Sequence, residues 1–396
     1  MKPYYEKDNI TLFCGDNREV LPTLSEASVD FVCSDPPYGL GFMGHEWDHG
    51  VPGIPYWEAI QRVCKPGALM LAFGGTRTYH RLTCAIEDAG WEIRDCLMWL
   101  YGTGFPKAAD IGKMIDKAKG ASREVIGTKL GRPGYSLADN GRTNEVYGDL
   151  HNPAAECAVT APATDLAKQW TGWANALKPA WEPIVLAMKP LDGTLAHNAE
   201  TWGVAGMNIG GCRIGGPFVS QGGNNFDQWR SGEGRSDRPG IHGKLTAAVQ
   251  SGRWPANISL DEEAATQLDQ QSGQTASKVR IEKNFGRKDE SQYRIKPVPG
   301  VVKDFGDSGG ASRFFYTAKA SRSERGEGND HPTVKPLKLM QYLLTLLSTP
   351  TGGLVLDPFA GSGSTLLAAK LLGRPAMGIE LDEHFCEIAA SRLDSL

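Results

Sequence analysis

Leu354-Val355-Leu356-Asp357-Pro358-Phe359-Ala360-Gly361-Ser362-Gly363-Ser364-Thr365 is the stretch that decides the fold. A short apolar run ends on an acid, small residues follow, and helical spacing then begins and continues to Leu372. The pattern is a strand feeding a helix through a glycine-rich turn. Glycines let the backbone approach a ligand closely, and the helix N-terminus offers free N–H groups. Asp357, at the strand's end, places a carboxylate where a cationic ligand group could sit. The next apolar run, Ala376-Met377-Gly378-Ile379, ends on Glu380, nineteen residues after Gly361. That is close to the spacing of an acid that takes ribose hydroxyls. A nicotinamide-dinucleotide fingerprint needs a glycine where Leu366 stands, and a Walker phosphate loop needs a lysine that is absent. An adenosine ligand without a diphosphate fits better, since Asp357 repels phosphate and attracts an ammonium. Taken alone, the stretch also leaves a purely structural turn open.

The rhythm around it is the same. Leu337 to Ser348 has helical apolar spacing and stops at Pro350, and a further helix is expected from Asp382 to Leu393. In the first hundred residues, strands are expected at 28–33, 68–73 and 93–99, with a helix from Arg77 to Ala89. Another strand is expected at 182–188. Strand, helix, strand at these spacings predicts an α/β chain with a mostly parallel sheet.

A second constellation closes the first of those strands: Ser34-Asp35-Pro36-Pro37-Tyr38. Two prolines remove N–H donors and stiffen the chain. Backbone carbonyls and the Asp35 carboxylate remain as acceptors, and Tyr38 adds an aromatic platform. Acceptors beside an aromatic face suit a planar substrate with an exocyclic amino group. The competing interpretation is a stiffened turn with a packed tyrosine. Cys33, just before the strand's end, reads as a core thiol.

Asp35-Pro36-Pro37-Tyr38 early and Asp357 to Thr365 late resemble the DNA amino-methyltransferases of the permuted (beta) class, in which the catalytic motif precedes the cofactor motif. Further likenesses are Phe13-Cys14-Gly15-Asp16, the run from His331 to Leu337, Phe315 to Arg322, and Gly378 to Asp382. Trp202 to Ile214 and Arg253 to Asn257 are similar to phage and prophage members. The resemblance covers roughly residues 8–100, 180–190 and 313–394. It implies a seven-stranded, mostly parallel, Rossmann-like sheet in permuted order and S-adenosylmethionine as methyl donor, with no metal. By the same resemblance, Asp357 lies near the donor's amino-acid end, Gly361 and Gly363 allow its approach, and Glu380 takes its ribose. Asp16 lies near its adenine, Thr333 and Lys335 near its carboxylate, and Phe359, Ser362 and Thr365 belong to the same cofactor motif. Asp35, Pro36, Pro37 and Tyr38 carry the catalysis on a flipped-out base.

Charge at first points away from DNA: 42 Lys+Arg against 46 Asp+Glu give a net −4. The total hides a distribution. Residues 102–135 hold seven Lys/Arg against three Asp/Glu, and residues 278–325 hold twelve against six. Both stretches lie outside the α/β rhythm, and basic residues among Gly, Ser, Asn and Gln suit phosphate and base-edge contacts. A solvated face with ordinary charge scatter is the plainer alternative. The expected organisation is a first core half with the catalytic motif (1–101), an insertion with DNA or dimer contacts (102–179), a core strand (180–199), a target-recognition region (200–326) and a second core half with the cofactor motif (327–396). Helix 110–119 falls in the insertion. His45 and His49, beside Trp47, read as a loop closing on the base rather than a metal pair.

No run of about 18 apolar residues exists, so no membrane helix is expected. Eight scattered Cys without a C-x-x-C pair speak against a zinc site and for a reduced, cytoplasmic setting in a prokaryotic cell. The favoured function is methylation of adenine N6 in double-stranded DNA, within a restriction-modification setting. Cytosine N4 is the runner-up because both reactions use one geometry. An RNA or protein-amide methyltransferase and a non-catalytic DNA-binding module are the other classes weighed. By resemblance, the protein is a homodimer.

Overall fold

Along Val29–Ser34, Cys64–Phe73 and Trp181–Met188 apolar residues run almost without break, as strands buried on both faces require. The computed structural model describes residues 2–40, 50–102, 104, 108–130, 156–215, 252–276, 307–318, 329 and 334–396. In it, alternate residues of each strand serve opposite faces. Phe31, Cys33, Leu69, Leu71, Phe73, Ile184 and Leu186 pack with Leu339, Met340 and Leu343 of helix Leu337–Leu347 and with Leu366 and Leu367 of helix Ser364–Leu371. Val32, Met70, Ala72, Val185 and Ala187 pack with Trp57 and Ile60 of helix Ile54–Val63 and with Leu82 and Ile86 of helix Tyr79–Asp88. The result is a sheet with helices on both faces.

From edge to edge the sheet runs Tyr5–Lys7, Ile10–Cys14, Ala376–Glu380, Val355–Asp357, Val29–Ser34, Cys64–Phe73, Trp181–Met188, Glu92–Leu100, Ile258–Asp261 and Tyr316–Ala318. The second to eighth of these are the seven strands that the resemblance implies. All of their mutual pairings are parallel except the two made by Trp181–Met188. The sheet is nonetheless ten-stranded, which the sequence did not predict. Tyr5–Lys7 forms an antiparallel hairpin on one edge, and Ile258–Asp261 and Tyr316–Ala318 add parallel strands at the other. The latter two are three or four residues long and stand among Gly, Ser and Asn, too short for period-two alternation to show.

Order in space departs most from order in the chain at the centre. Val355–Asp357 lies beside Val29–Ser34, with Val355 opposite Phe31 and Leu356 opposite Val32. Connections leave this pair in opposite directions across the sheet. Such a reversal opens a crevice at the carboxyl ends of the two strands. Asp357 and Ser34 end those strands, and Ser34 donates to Asp357 across them at 2.5 Å.

Within the 102–179 segment, helix Ile111–Ala118 falls where the basic helix is expected. Its neighbours are the hairpin Val125–Leu130 with Glu156–Thr160 and helix Asp165–Gln169. Most of the basic 278–325 stretch lies outside the described residues, as do His45, Trp47, His49, His331 and Thr333.

Candidate active site

The crevice at the strand ends is a cavity of about 700 Å³, within the usual range for small-molecule sites. One end is walled by Asp35, Pro36, Pro37 and Tyr38. The other is walled by Asp16, Asn17, Phe359, Gly361, Glu380 and Phe385, among others. Residues more than 300 positions apart in the chain thus share one space.

Asp35 is the first residue beyond strand Val29–Ser34, and the two prolines hold the chain away from the sheet. Tyr38 is fixed from three directions. Its hydroxyl stands 2.9 Å from Asp35 Oδ1 and 3.1 Å from Glu182 Oε2, so its one proton is shared between the two carboxylates. Its carbonyl accepts from Thr78 Oγ1 at 2.5 Å. Its ring lies against Gly75, where an added Cβ would stand 3.1 Å from the ring's Cδ2. Burial, then the charges of Asp35 and Glu182, push the phenol pKa well above its ordinary value, so Tyr38 stays a neutral donor.

Lys335 Nζ donates to Asp35 Oδ2 and lies 3.5 Å from Glu182 Oε2. It also stands over the rings of Phe73 (4.9 Å) and Tyr38 (5.4 Å). Burial opposes its charge, but Asp35 and Glu182 outweigh that and hold the lysine pKa above normal. The ammonium expected at the donor's carboxylate thus stands against Asp35-Pro36-Pro37-Tyr38, between two carboxylates of the chain itself.

The cofactor motif divides as well. Gly361 lines the cavity, and its N–H donates to Glu380 Oε2 at 2.7 Å. Glu380 Oε1 accepts from the Asp382 N–H at 2.9 Å. Burial raises the Glu380 carboxyl, while those two N–H groups lower it in part. Asp357, Ser362, Gly363 and Thr365 do not line the cavity; they shape it from behind. Asp357, 2% exposed, accepts from Ser34, from Thr365 and from the Phe359 N–H at 3.2 Å. Burial pushes its carboxyl up to about 6. Ser362 Oγ accepts from Arg392 at 3.0 Å. Gly363 has φ +78°, and an added Cβ would stand 2.9 Å from that of Ala389.

Asp16 caps the short helix Asn17–Val20 and accepts from Arg18, whose guanidinium holds its carboxyl below the usual range. Asn17 donates to the Pro358 carbonyl at 3.0 Å, while its buried Oδ1 has no partner among the described residues. That idle acceptor, the carboxylates of Asp16 and Glu380, and the apolar Ile379, Leu381, Phe359 and Phe385 fit a nucleoside with hydroxyls and amino groups. The residues therefore fit the adenosyl group expected from the sequence. Cys33 is fully buried, as a core thiol should be. Glu182 and Asn17 went unremarked in the sequence. Only Glu182 left a signal, as a lone acid opening an otherwise apolar strand.

A crevice with these two ends, at the strand ends of this permuted sheet, defines a candidate small-molecule site of the doubly wound α/β class. The chain belongs to the DNA methylase family, whose model matches residues 167–391, more than half of it. It is similar to the type II methyltransferase M2.DpnII of Streptococcus pneumoniae, 32% identical over 28% of this chain and 41% of that protein. It is also similar to the DNA adenine methyltransferase YhdJ of Escherichia coli, 36% identical over 26% of this chain and 30% of that protein. The chain thus spans about two fifths or less of the length of these relatives. Among solved structures, the PvuII DNA methyltransferase (cytosine-N4-specific) aligns over 99% of this chain and 88% of its own, at 14% identity and a TM-score of 0.45. Among the described residues, no helix is long and apolar enough to cross a membrane, and no group of three His, Cys, Asp or Glu could hold a metal ion.

Proposed function

We propose that the protein methylates the N6 amino group of adenine in double-stranded DNA, with S-adenosylmethionine as donor. One observation carries this: a single cavity is walled by Asp35-Pro36-Pro37-Tyr38 at one end and by Gly361 and Glu380 at the other. The DNA methylase family and the name of YhdJ, a DNA adenine methyltransferase, support the DNA substrate, and the name of M2.DpnII supports methyl transfer.

When bound, S-adenosylmethionine supplies a methyl group on a sulfonium, a strong electrophile. The remaining task is to make a poor nucleophile attack it. The exocyclic nitrogen shares its lone pair with the ring. Asp35 and the Pro36 carbonyl accept its two N–H bonds and favour a tetrahedral nitrogen, whose lone pair then points at the methyl carbon. As the nitrogen–carbon bond formed, the carbon–sulfur pair would stay on sulfur and one amino proton would pass by way of Asp35 to water. Positioning and fixed acceptors supply the acceleration. The base reaches the cavity only when flipped from the stack, and Tyr38 offers it a ring. Asp16, Asn17 and Glu380 hold the adenosyl end.

The test incubates the protein with unmethylated genomic DNA and S-adenosylmethionine, followed by nucleoside mass spectrometry. N6-methyladenine is expected, and Asp35→Ala should abolish it while donor binding persists. N4-methylcytosine alone would overturn the base assignment. Methylated RNA with unmethylated DNA would overturn the substrate.

A further inference from the structure

We propose that Lys335 and Glu182 are positioning residues for methyl transfer, holding Asp35 and Tyr38 in the geometry that receives the target amino group. The inference rests on the function proposed above and gives Lys335 a different task from the one its family likeness implies.

Four side chains from three separate parts of the chain form a closed circuit. Lys335 Nζ donates to Asp35 Oδ2, the Tyr38 hydroxyl shares its one proton between Asp35 Oδ1 and Glu182 Oε2, and Lys335 stands 3.5 Å from that same Glu182 oxygen. The Lys335 side chain is 6% exposed, against 21% for Asp35 and 22% for Glu182. Asp35 lines the cavity, and Lys335 and Glu182 support it from outside the lining. Asp35 is gripped on both oxygens, so its plane cannot rotate, and each oxygen keeps a lone pair for a substrate N–H. Tyr38 is gripped at its hydroxyl, leaving only its ring for the base.

The charges explain why two carboxylates are needed. A buried ammonium facing Asp35 alone would cancel the acceptor that the amino group requires. Glu182 gives the ammonium a second carboxylate partner, so its charge is not directed at Asp35 alone. Other titratable groups facing it are Tyr101, Asp357 and Cys33. Burial and then Glu182 raise the Tyr101 phenol to about 12, with Lys335 opposing. Burial, Asp357 and Asp35 keep the Cys33 thiol protonated. Tyr101 and Cys33 thus stay neutral and do not offset the lysine, while Asp357, raised by burial to about 6, adds negative charge beside Asp35 only above that pH.

Removing the ammonium leaves two close carboxylates, and like charges that near each other keep a proton to higher pH. In Lys335→Met, the acid limb of the single-turnover rate should therefore move up by on the order of one pH unit. The rate near neutrality should fall by about 100-fold. Lys335→Arg should restore the limb to its wild-type position. Glu182→Gln should lower the rate by about 10-fold without moving the limb upward. Donor affinity, measured by calorimetry with S-adenosylmethionine alone, should be unchanged in all three variants, and their thermal unfolding should show that they fold. A wild-type pH profile in Lys335→Met overturns the proposal, and so does a tenfold or greater loss of donor affinity, which would return Lys335 to the donor's carboxylate. Wild-type protein that methylates no DNA overturns the function itself, an outcome separable from both.

Discussion

Replacing Asp357 by asparagine should change how stability depends on pH. Burial raises this carboxyl from an ordinary 3.8 to about 6, against the lowering pull of Ser34, Thr365 and the Phe359 N–H. A folded-state pKa above the unfolded one means that the folded protein holds the proton more tightly. The stabilisation is then complete below the unfolded value and is lost as pH rises through about 6. At about 1.4 kcal/mol per pH unit, the whole loss is about 3 kcal/mol, with roughly half of it between about pH 5 and about pH 7.5. Asp357→Asn has no proton to lose there, and it pays a constant cost because one amide oxygen cannot serve three donors. Urea unfolding of both proteins across that interval isolates the effect. Wild type's advantage over the variant should shrink by about 1.5 kcal/mol as pH rises. A constant difference over this interval would mean that Asp357 titrates at or below its ordinary value, and that result refutes the reasoning.

Two further substitutions probe the shape of the site. Gly363→Ala puts a side chain at φ +78° and 2.9 Å from the Ala389 Cβ. It should cost about 1–3 kcal/mol in urea unfolding; an unchanged midpoint would contradict the close approach. Tyr38→Ala should weaken kcat/KM for DNA by about 10- to 100-fold through lost stacking. Tyr38→Phe should keep that stacking and lose mainly rate, because only the hydroxyl between Asp35 and Glu182 is gone. Equal damage by both would assign the tyrosine to the circuit alone.

Much of the fold was legible because it depends on local pattern. Helix Leu337–Leu347 and strands Val29–Ser34 and Ala376–Glu380 lie within a residue or so of where apolar spacing puts them. The glycine-rich turn reads correctly because the φ of Gly361 and Gly363 is a property of the residues themselves. Three kinds of feature escaped. Helix Ile54–Val63 follows a Pro- and Gly-rich entry that masks its start. The edge strands take their identity from a neighbour rather than from their own alternation. The environment of Lys335 depends on Glu182, more than 150 residues away, and no local signal says which acid a lysine will find. The net charge of −4 was legible and misleading, since it averages an acidic core with basic insertions.

The position of Val355–Asp357 bears on how the protein is made. It separates Val29–Ser34 from Ala376–Glu380, and its bond to Ser34 spans 323 positions in the chain. When Val29–Ser34 leaves the ribosome, the partner for one of its edges has not been synthesised. At roughly 5–20 residues per second, that wait is roughly 20–60 s. Throughout it, an apolar strand shows unsatisfied N–H and C=O groups to the cytosol, the kind of edge that templates wrong pairing. Completion of the cavity and closure of the sheet are therefore one event, late in translation. A chain stalled before residue 355 carries Asp35-Pro36-Pro37-Tyr38 with much of the cavity wall missing and an open edge, a target for chaperones and proteases.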